Sequence, residues 1–246
     1  MLEQIDELRK EVDNRRPLKP ELMNIISQRF REEWTYHSNA IEGNTFTYKE
    51  TAFFLRAGLT VIGKSLREHL EIVNHAEAID YLQEVINVRD LTERFFKDIH
   101  AILFQGVRDI KFSPGDYKKE DNHALTITGK IHQYTPAIHV STEMENLIRW
   151  YDNEKEKLHP IQLAAILHHK LVAIHPFTDG NGRVSRLAMN LILMKNGFPP
   201  AIIRNENREE YYTALDQADH GDFQPIIDLV ALEVKNNLDL ILCQPK

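Results

Sequence analysis

The sequence contains very little cysteine and no long apolar run. Cys243 is the only cysteine among 246 residues, which excludes a framework of intrachain disulfides and zinc sites built from several cysteines. No stretch stays apolar for the roughly 18 residues that a membrane span needs. The N-terminus is charged and amphipathic and has no signal-peptide core. We therefore predict a cytoplasmic protein that does not act at a membrane.

An excess of positive charge is also missing. The chain has 30 Lys and Arg against 37 Asp and Glu, a formal net charge of −7, which argues against general nucleic-acid binding. The composition, 42% hydrophobic and 27% charged, is otherwise typical of a globular protein. Its length suits one large domain, or one domain with an extension.

Most of the chain has apolar residues at helical spacing, separated by Gly, Pro and capping residues. Thr47 with Glu50 predicts a capping box, and Thr92 predicts another helix start. The helix predicted over residues 1–13 could pack on the body or on a second protomer. Residues 124–134 differ, because extended and β-branched residues flank a Gly-Lys tip, which predicts a β-hairpin.

The segment from His175 to Arg186 is the most informative part of the sequence. It joins two apolar helical runs, and Pro176 cannot continue the incoming helix. Gly180, Asn181 and Gly182 then permit unusual backbone conformations. Successive amide N–H groups in such a loop can form an anion cradle, and the following helix N-terminus adds positive potential.

The side chains around this cradle favour phosphate chemistry. Arg183 and Arg186 are three residues apart, so both can face the cradle. Asp179 suits Mg²⁺, or alternatively Mn²⁺, bridging polyphosphate oxygens. His175, a residue type with an ordinary pKa near ~6.5, is placed to take a proton from an incoming hydroxyl. The alternative is a Gly-Asn turn between core helices with a buried histidine.

The histidines near this segment could suggest a transition-metal hydrolase, but their spacing does not favour one. His168 and His175 are seven residues apart with no carboxylate between them, whereas a zinc site needs a tighter ligand set and a distinct base. His100 lies on an apolar helical run and is predicted to be a core histidine.

A second informative segment ends the helix that begins near Glu21. Ser38 and Glu42 are four apart and share a helix face, and Gly43 and Asn44 are helix-stop residues. A carboxylate at a helix C-terminus lies at the unfavourable end of the dipole and needs a partner, such as an arginine. A surface glutamate beside a glycine cap is equally consistent with these residues alone.

Both segments resemble motifs of the Fic family of AMP-transferring enzymes. Residues 175–186 match every fixed position of H-P-F-x-[DE]-G-N-G-R-x-x-R. Residues 38–44 resemble the inhibitory motif [ST]-x-x-x-E-[GN] of the members that carry their own inhibitory helix, a class that includes the animal endoplasmic-reticulum Fic enzyme. The resemblance covers roughly residues 35–242 and implies an all-α Fic fold. We expect a helical extension with the inhibitory helix in residues 1–60, and a helical Fic core with one β-hairpin, the flap, in residues 61–246.

The resemblance also implies an activity, the transfer of AMP from ATP to a Ser, Thr or Tyr hydroxyl of a target protein or of the enzyme itself. His175 would be the general base, Asp179 would hold Mg²⁺, and the amides of residues 180–182 together with Asn181 would stabilise charge on the α-phosphate. Arg183 and Arg186 would bind the β- and γ-phosphates. Glu42 would pair with Arg186 and block the productive position of the γ-phosphate.

The remaining expectations from the family concern the nucleotide, the target and regulation. Tyr211 and Tyr212 would line the nucleotide pocket, and Asp219, where relatives often have Asn, would accept from the adenine amino group. The flap would dock the target segment, and flap residues would contact ATP; these are Thr128, Gly129, Lys130 and Ile131. Homodimers are usual in this class. The alternatives are removal of AMP in the same site, transfer of uridylyl or phosphocholine groups, and a non-catalytic nucleotide-binding module.

Overall fold

The computed structural model describes residues 1–88, 90–108, 110–125 and 131–244, and of Leu125 the backbone alone. Within these ranges the chain forms ten α-helices, two short 3-10 helices and one two-stranded sheet. None of the described helices is long and apolar enough to cross a membrane. The all-α prediction with a single hairpin is confirmed. The helices are α1 Leu2–Asn14, α2 Pro20–Ile41, α3 Tyr48–Ala57, α4 Leu66–Val85, α5 Glu93–Leu103, α6 Val140–Glu154, α7 Pro160–Ile174, α8 Asn181–Lys195, α9 Arg208–Asp219 and α10 Gln224–Leu242.

Side-chain caps fix the starts of several helices. The predicted capping box at α3 is confirmed, because Thr47 accepts from the Glu50 amide and Glu50 accepts from the Thr47 amide. Ser65 and Glu68 form a second box at α4, and Thr92 caps α5 as predicted. Each such cap contributes typically about 1 kcal/mol.

The centre of the core is the α7–α8 pair, the two helices that the motif loop joins. α7 also packs against α6 and α10, and α8 against α4 and α5. Leu167, Leu171, Leu187 and Leu191 are fully buried. Because a buried leucine contributes about 1.5–3 kcal/mol, this packing gives the loop between the helices two rigid ends.

The first helix packs on the body of its own chain, which answers the question that the sequence left open. Ile5 and Val12 are buried against the core, and α1 lies along α10. The guanidinium of Arg9 donates to the carbonyl of Asn196 (3.0 Å). The apolar core runs continuously from α1 to α10, and the division at residues 60 and 61 stays a prediction.

Two bidentate ion pairs hold α2 against its neighbours. Arg31 donates to both oxygens of Asp80 on α4 (2.8 and 2.7 Å). Arg56 on α3 donates to both oxygens of Glu32, 2.6 Å each. Bidentate Arg–carboxylate pairs fix orientation as well as distance. The C-terminus of α2, which carries Glu42, is thereby directed at the N-terminus of α8.

The predicted hairpin is present in its described part. Strand β1, His123–Leu125, pairs antiparallel with β2, Ile131–Gln133, and His123 lies opposite Gln133. Three residues predicted to contact ATP lie outside the described residues; these are Thr128, Gly129 and Lys130. After β2 the chain returns to the motif loop through Tyr134.

Candidate active site

His175 ends α7 in an unusual backbone conformation. Its φ of +53° lies in the left-handed region, which few residues other than glycine adopt. Its Nδ1 lies 3.2 Å from the carbonyl oxygen of Val172. Since a carbonyl can only accept, Nδ1 carries the proton and donates it. Nε2 of the neutral ring is then left with its lone pair.

The surroundings of His175 keep the imidazole neutral. Burial lowers the pKa of His175 to about 4. The positive charge of Lys118 and the proximity of His132 act in the same direction, while Glu42 and the bond to Val172 oppose them. At neutral pH the ring is therefore unprotonated, which is the form that can accept a proton.

Asn181 closes the motif loop with its side chain. Its Oδ1 accepts from the Phe177 amide (2.8 Å) and its Nδ2 donates to the Phe177 carbonyl (2.8 Å). The Asn181 side chain thus holds the loop together through Phe177, and its backbone amide belongs to the first turn of α8. A contact of Asn181 with phosphate stays a prediction.

His100 supports the same loop from α5, which sequence reasoning missed. It is fully buried, so the core-histidine prediction is confirmed. Its ring stacks on Phe177 with centroids 4.0 Å apart, its Nδ1 accepts from the Gly115 amide, and its Nε2 donates to the Asp179 carbonyl (2.8 and 3.2 Å). Burial lowers the pKa of His100 to about 4, which preserves this donor and acceptor pattern. Its position on an apolar helix face was the one available signal.

The N-terminus of α8 lacks a side-chain cap from the residues that the structure describes. Gly180 precedes the helix with φ +79°, and no side chain in the described part of the protein caps this end. The first N–H groups of a helix have no intrahelical partners and carry positive partial charge. This terminus therefore has the free N–H groups that an anion cradle needs, and anion binding there stays a prediction.

Arg183 is held at the cradle by contacts on two sides. Its guanidinium is 3% exposed and its Cζ lies 5.2 Å from the centroid of the Phe104 ring. Its nitrogens lie 3.7 Å from Asp179 Oδ1 and 4.0 Å from Glu71 Oε1. The positively charged Arg183 side chain thus stays beside the N-terminus of α8.

Asp179 faces Arg67 on the open side of the loop. Its Oδ1 accepts from the Gly180 amide (2.6 Å) and its Oδ2 from Arg67 Nη2 (3.2 Å), and its side chain is 43% exposed. The described residues contain no group of three or more His, Cys, Asp or Glu that could hold a metal. A single carboxylate nevertheless fits Mg²⁺, because this ion is commonly bound by one or two carboxylates together with substrate phosphates. The magnesium role stays a prediction.

The predicted partner of Glu42 is in place. Arg186 Nη2 donates to Glu42 Oε1 (2.7 Å) and to the Ser38 carbonyl (2.9 Å), while its Nε donates to Ser38 Oγ (3.1 Å). Burial of the Arg186 guanidinium acts to lower its pKa, but Glu42, Tyr211 and Tyr212 together outweigh burial and raise the pKa above its ordinary value. Ser38 and Glu42, at the C-terminal end of α2, thus hold the buried guanidinium of Arg186.

The Glu42 carboxylate lies directly on the motif loop. A Cβ atom added at Gly182 would collide with Glu42 Oε1 and stand 3.0 Å from Arg186 Nη1. The turn that follows is fastened to α4: Gly43 has φ +96°, and Asn44 Nδ2 donates to Glu71 Oε2 (2.9 Å). The end of α2 and the first turn of α8 are therefore in contact.

The residues predicted to surround the nucleotide base occupy mixed environments. Tyr211 is 1% exposed and its hydroxyl lies 2.9 Å from His168 Nε2, so its ring belongs to the core. Tyr212 is half-buried beside it. Asp219 has His169 at 2.8 Å, and Ile131 is 64% exposed on β2. Their nucleotide contacts stay predictions.

Comparison with known proteins identifies the family. Residues 90–193 match the model of the Fic/DOC family. "Protein adenylyltransferase Fic" of Nematostella vectensis is 36% identical over 250 residues, which cover 98% of this chain and 56% of that protein. The chain spans 38% to 41% of the similar relatives from Caenorhabditis and Drosophila. A Fic-domain signalling protein from Bacteroides thetaiotaomicron superposes with a TM-score of 0.91 at 31% identity, covering 98% of this chain and 95% of that one. Residues 134–508 of Fic-1 from Caenorhabditis elegans give 0.85 at 30% identity, covering 98% and 70%. The chain belongs to the Fic/DOC family.

Proposed function

We propose that this protein is a protein adenylyltransferase, which transfers AMP from ATP to a Ser, Thr or Tyr hydroxyl of a target protein or of itself. The curated relatives carry the name protein adenylyltransferase. The observation that carries the proposal is the pairing on one loop of a neutral His175 and the uncapped N-terminus of α8. Nucleotidyl transfer to a hydroxyl requires a proton acceptor and an anion site close to each other, and one short loop carries both candidates.

The reaction balances with groups of this loop. The target hydroxyl oxygen attacks the α-phosphorus, the bond to the bridging oxygen of the β-phosphate breaks, and pyrophosphate leaves with that electron pair. The hydroxyl proton passes to His175 Nε2, a step of general base catalysis worth about 10²–10⁴ in rate. The amides at the start of α8 stabilise charge that develops on the α-phosphate. Asp179 would hold Mg²⁺, which supplies charge neutralisation on the phosphates.

We also propose that the enzyme is autoinhibited by Glu42. The contact of 2.7 Å with Arg186 occupies the guanidinium that would otherwise bind the γ-phosphate. Arg186 is buried, and a charge-assisted hydrogen bond in such surroundings is strong. ATP then binds without its productive γ-phosphate contact, and transfer is slow. We also propose that the target protein docks on the flap, that the enzyme forms a homodimer and that it is cytoplasmic.

The test is labelling with ATP that carries ³²P at the α-phosphate. We expect weak self-labelling of the wild type and stronger labelling of Glu42→Gly. Glu156→Gly, which removes an exposed glutamate in the turn after α6, is the matched control and should label like the wild type. Equal labelling of wild type and Glu42→Gly would remove the inhibitory role.

The base is tested in the Glu42→Gly background. His175→Ala should abolish labelling and leave ATP affinity, measured by calorimetry, nearly unchanged. Loss of ATP binding instead would assign His175 a structural role. If no variant labels itself or a lysate protein with Mg²⁺ or Mn²⁺, the protein is a nucleotide-binding module without transfer activity.

Removal of AMP from a modified protein is a second candidate, favoured by the position of Glu42. Its carboxylate lies against Gly182 of the cradle and its side chain is 34% exposed, so it can orient a water molecule beside a bound phosphodiester. Incubation with an AMP-modified target decides between the two. AMP release by the wild type that Glu42→Gly loses would establish the hydrolase.

A further inference from the structure

Tyr134 lies on the imidazole of His175. Its ring is nearly parallel to the imidazole, with an interplanar angle of 15° and centroids 3.6 Å apart. The residue follows directly after β2, so the flap supplies the ring that covers the expected base. This contact joins residues that are 41 positions apart in the sequence.

The strand that precedes Tyr134 lies beside α9, and α9 contacts α7. His132 Nδ1 on β2 lies 3.6 Å from Asp219 Oδ2, and Asp219 Oδ1 lies 2.8 Å from His169 Nε2 on α7. The ring of Tyr134 packs edge-on against that of His132, with centroids 4.8 Å apart. Asp219 at the end of α9 therefore lies between His132 of β2 and His169 of α7.

The stack and the bond to Val172 restrain His175 in different ways. The Nδ1 bond fixes the tautomer, but a ring held by a single hydrogen bond can still tilt about it. A parallel ring against one face fixes the plane of the imidazole and removes water from that face. Together they fix the direction of the Nε2 lone pair.

We propose that Tyr134 is a positioning residue for His175: the stacked ring aligns the base, so that proton acceptance depends on the Tyr134 ring. The proposal rests on the proposed function for the role of His175 as base. It makes Tyr134 part of the catalytic geometry, because a displaced Tyr134 ring would release the imidazole.

The charged and titratable groups around His175 predict how the pKa of His175 changes when the Tyr134 ring is removed. Lys118 and His132 disfavour the imidazolium form, and Glu42 at the end of α2 favours it. The dominant cause of the lowered pKa is burial, to which Tyr134 contributes one face. Without the ring, water reaches the imidazole, and the pKa of His175 rises from about 4 toward its ordinary value.

The kinetic test compares Tyr134→Ala and Tyr134→Leu with Tyr134→Phe, all in the Glu42→Gly background. Phe keeps the stack and should keep the parental pH profile from pH 4 to pH 8. Tyr134→Ala and Tyr134→Leu should lower kcat and leave KM for ATP unchanged. They should also move the acidic limb of the pH profile to higher pH. A rise of the pKa to ~6 would leave about a tenth of the His175 rings neutral at pH 5, an about tenfold loss of activity there.

A measurement independent of activity separates this proposal from the proposed function. NMR of ¹³C-labelled histidine, with the His175 signal assigned from His175→Gln, should show a raised titration midpoint in Tyr134→Ala and Tyr134→Leu but not in Tyr134→Phe. An unchanged midpoint in folded Tyr134→Leu overturns the proposal. A raised midpoint without AMP transfer in any variant supports the stack and contradicts the assigned reaction.

Discussion

Gly180 and Gly197 share a backbone conformation but differ in their surroundings. Their φ angles are +79° and +78°. A Cβ at Gly180 would stand 2.7 Å from Phe104 Cε2, whereas a Cβ at Gly197 would meet no described atom within 4 Å. Alanine at either position therefore costs about 1–2 kcal/mol of left-handed strain. Alanine at Gly180 adds about 1–3 kcal/mol of overpacking.

Urea unfolding should accordingly show a larger loss for Gly180→Ala than for Gly197→Ala, with an unchanged m value. Because both variants carry the same left-handed strain, the difference between their losses of unfolding free energy reports the contact with the Phe104 ring. Equal losses would mean that Phe104 moves aside freely and that the loop is not packed as tightly as its distances indicate.

For single residues, the sequence predicted which side chains of the motif loop carry the chemistry. It predicted less well which residues from other elements hold that loop in place. The spacing of Arg183 and Arg186 placed both at the start of α8, and the resemblance assigned Glu42 as the partner of Arg186, 144 residues away. The contact between Arg67 and Asp179 and the stack of Tyr134 on His175 were not foreseen. Helical and strand periodicity reports neighbours within an element, and these contacts join separate elements. Only the fold brings them together.

Among the elements, α2 determines where Glu42 lies, and Asn44 fastens its C-terminal turn. Asn44 Nδ2 donates to Glu71 Oε2 and to the Glu68 carbonyl, and its Oδ1 accepts from the Phe46 amide. Asn44→Ala should loosen the turn and shift Glu42 away from Arg186. Because a hydrogen bond contributes about 1 kcal/mol net, we expect about fivefold stronger self-labelling, less than in Glu42→Gly.

The double variant tests whether Asn44 acts through Glu42. Asn44→Ala should add nothing in the Glu42→Gly background, since the carboxylate that it positions is gone. Asn146→Ala, which removes an exposed asparagine on α6, is the matched control and should leave labelling unchanged. Additive gains would show that Asn44 restrains the site by another route.

The limits of local sequence signals are also visible in the elements. Capping residues predicted the starts of α3 and α5, because a cap is a contact within three residues. The sequence left the docking of α1 open, since Ile5 and Val12 form an apolar stripe that either α10 or a second protomer could cover. The stripe is buried against α10, a choice that depends on the shape of the whole core.

For the whole molecule, buried neutral histidines predict a pH-dependent stability. Burial lowers the pKa of His100 and His175 to about 4 and of His168 to about 3, and places that of His75 well below its ordinary value. In the unfolded chain these rings protonate near pH 6.5. As the pH falls below 6.5 the unfolded state therefore binds more protons than the folded state, and stability is lost until the folded pKa is reached.

The free energy of unfolding should fall between pH 6.5 and pH 5 by up to about 1.4 kcal/mol per pH unit for each such histidine. Glu68 and Asp90, whose pKa values are lowered to about 2, act in the same direction at more acidic pH, whereas burial raises the pKa of Glu233, which acts in the opposite direction. Variants of single histidines therefore isolate the contribution of each ring. Urea unfolding at pH 5.0, 5.75 and 6.5 measures the slope. His168→Gln, which removes a fully buried ring, should reduce the slope, whereas His139→Gln, at an exposed position, should keep it. A free energy of unfolding that stays constant across this window would mean that the buried rings take up protons without unfolding, and that the neutral state assigned to His175 does not hold.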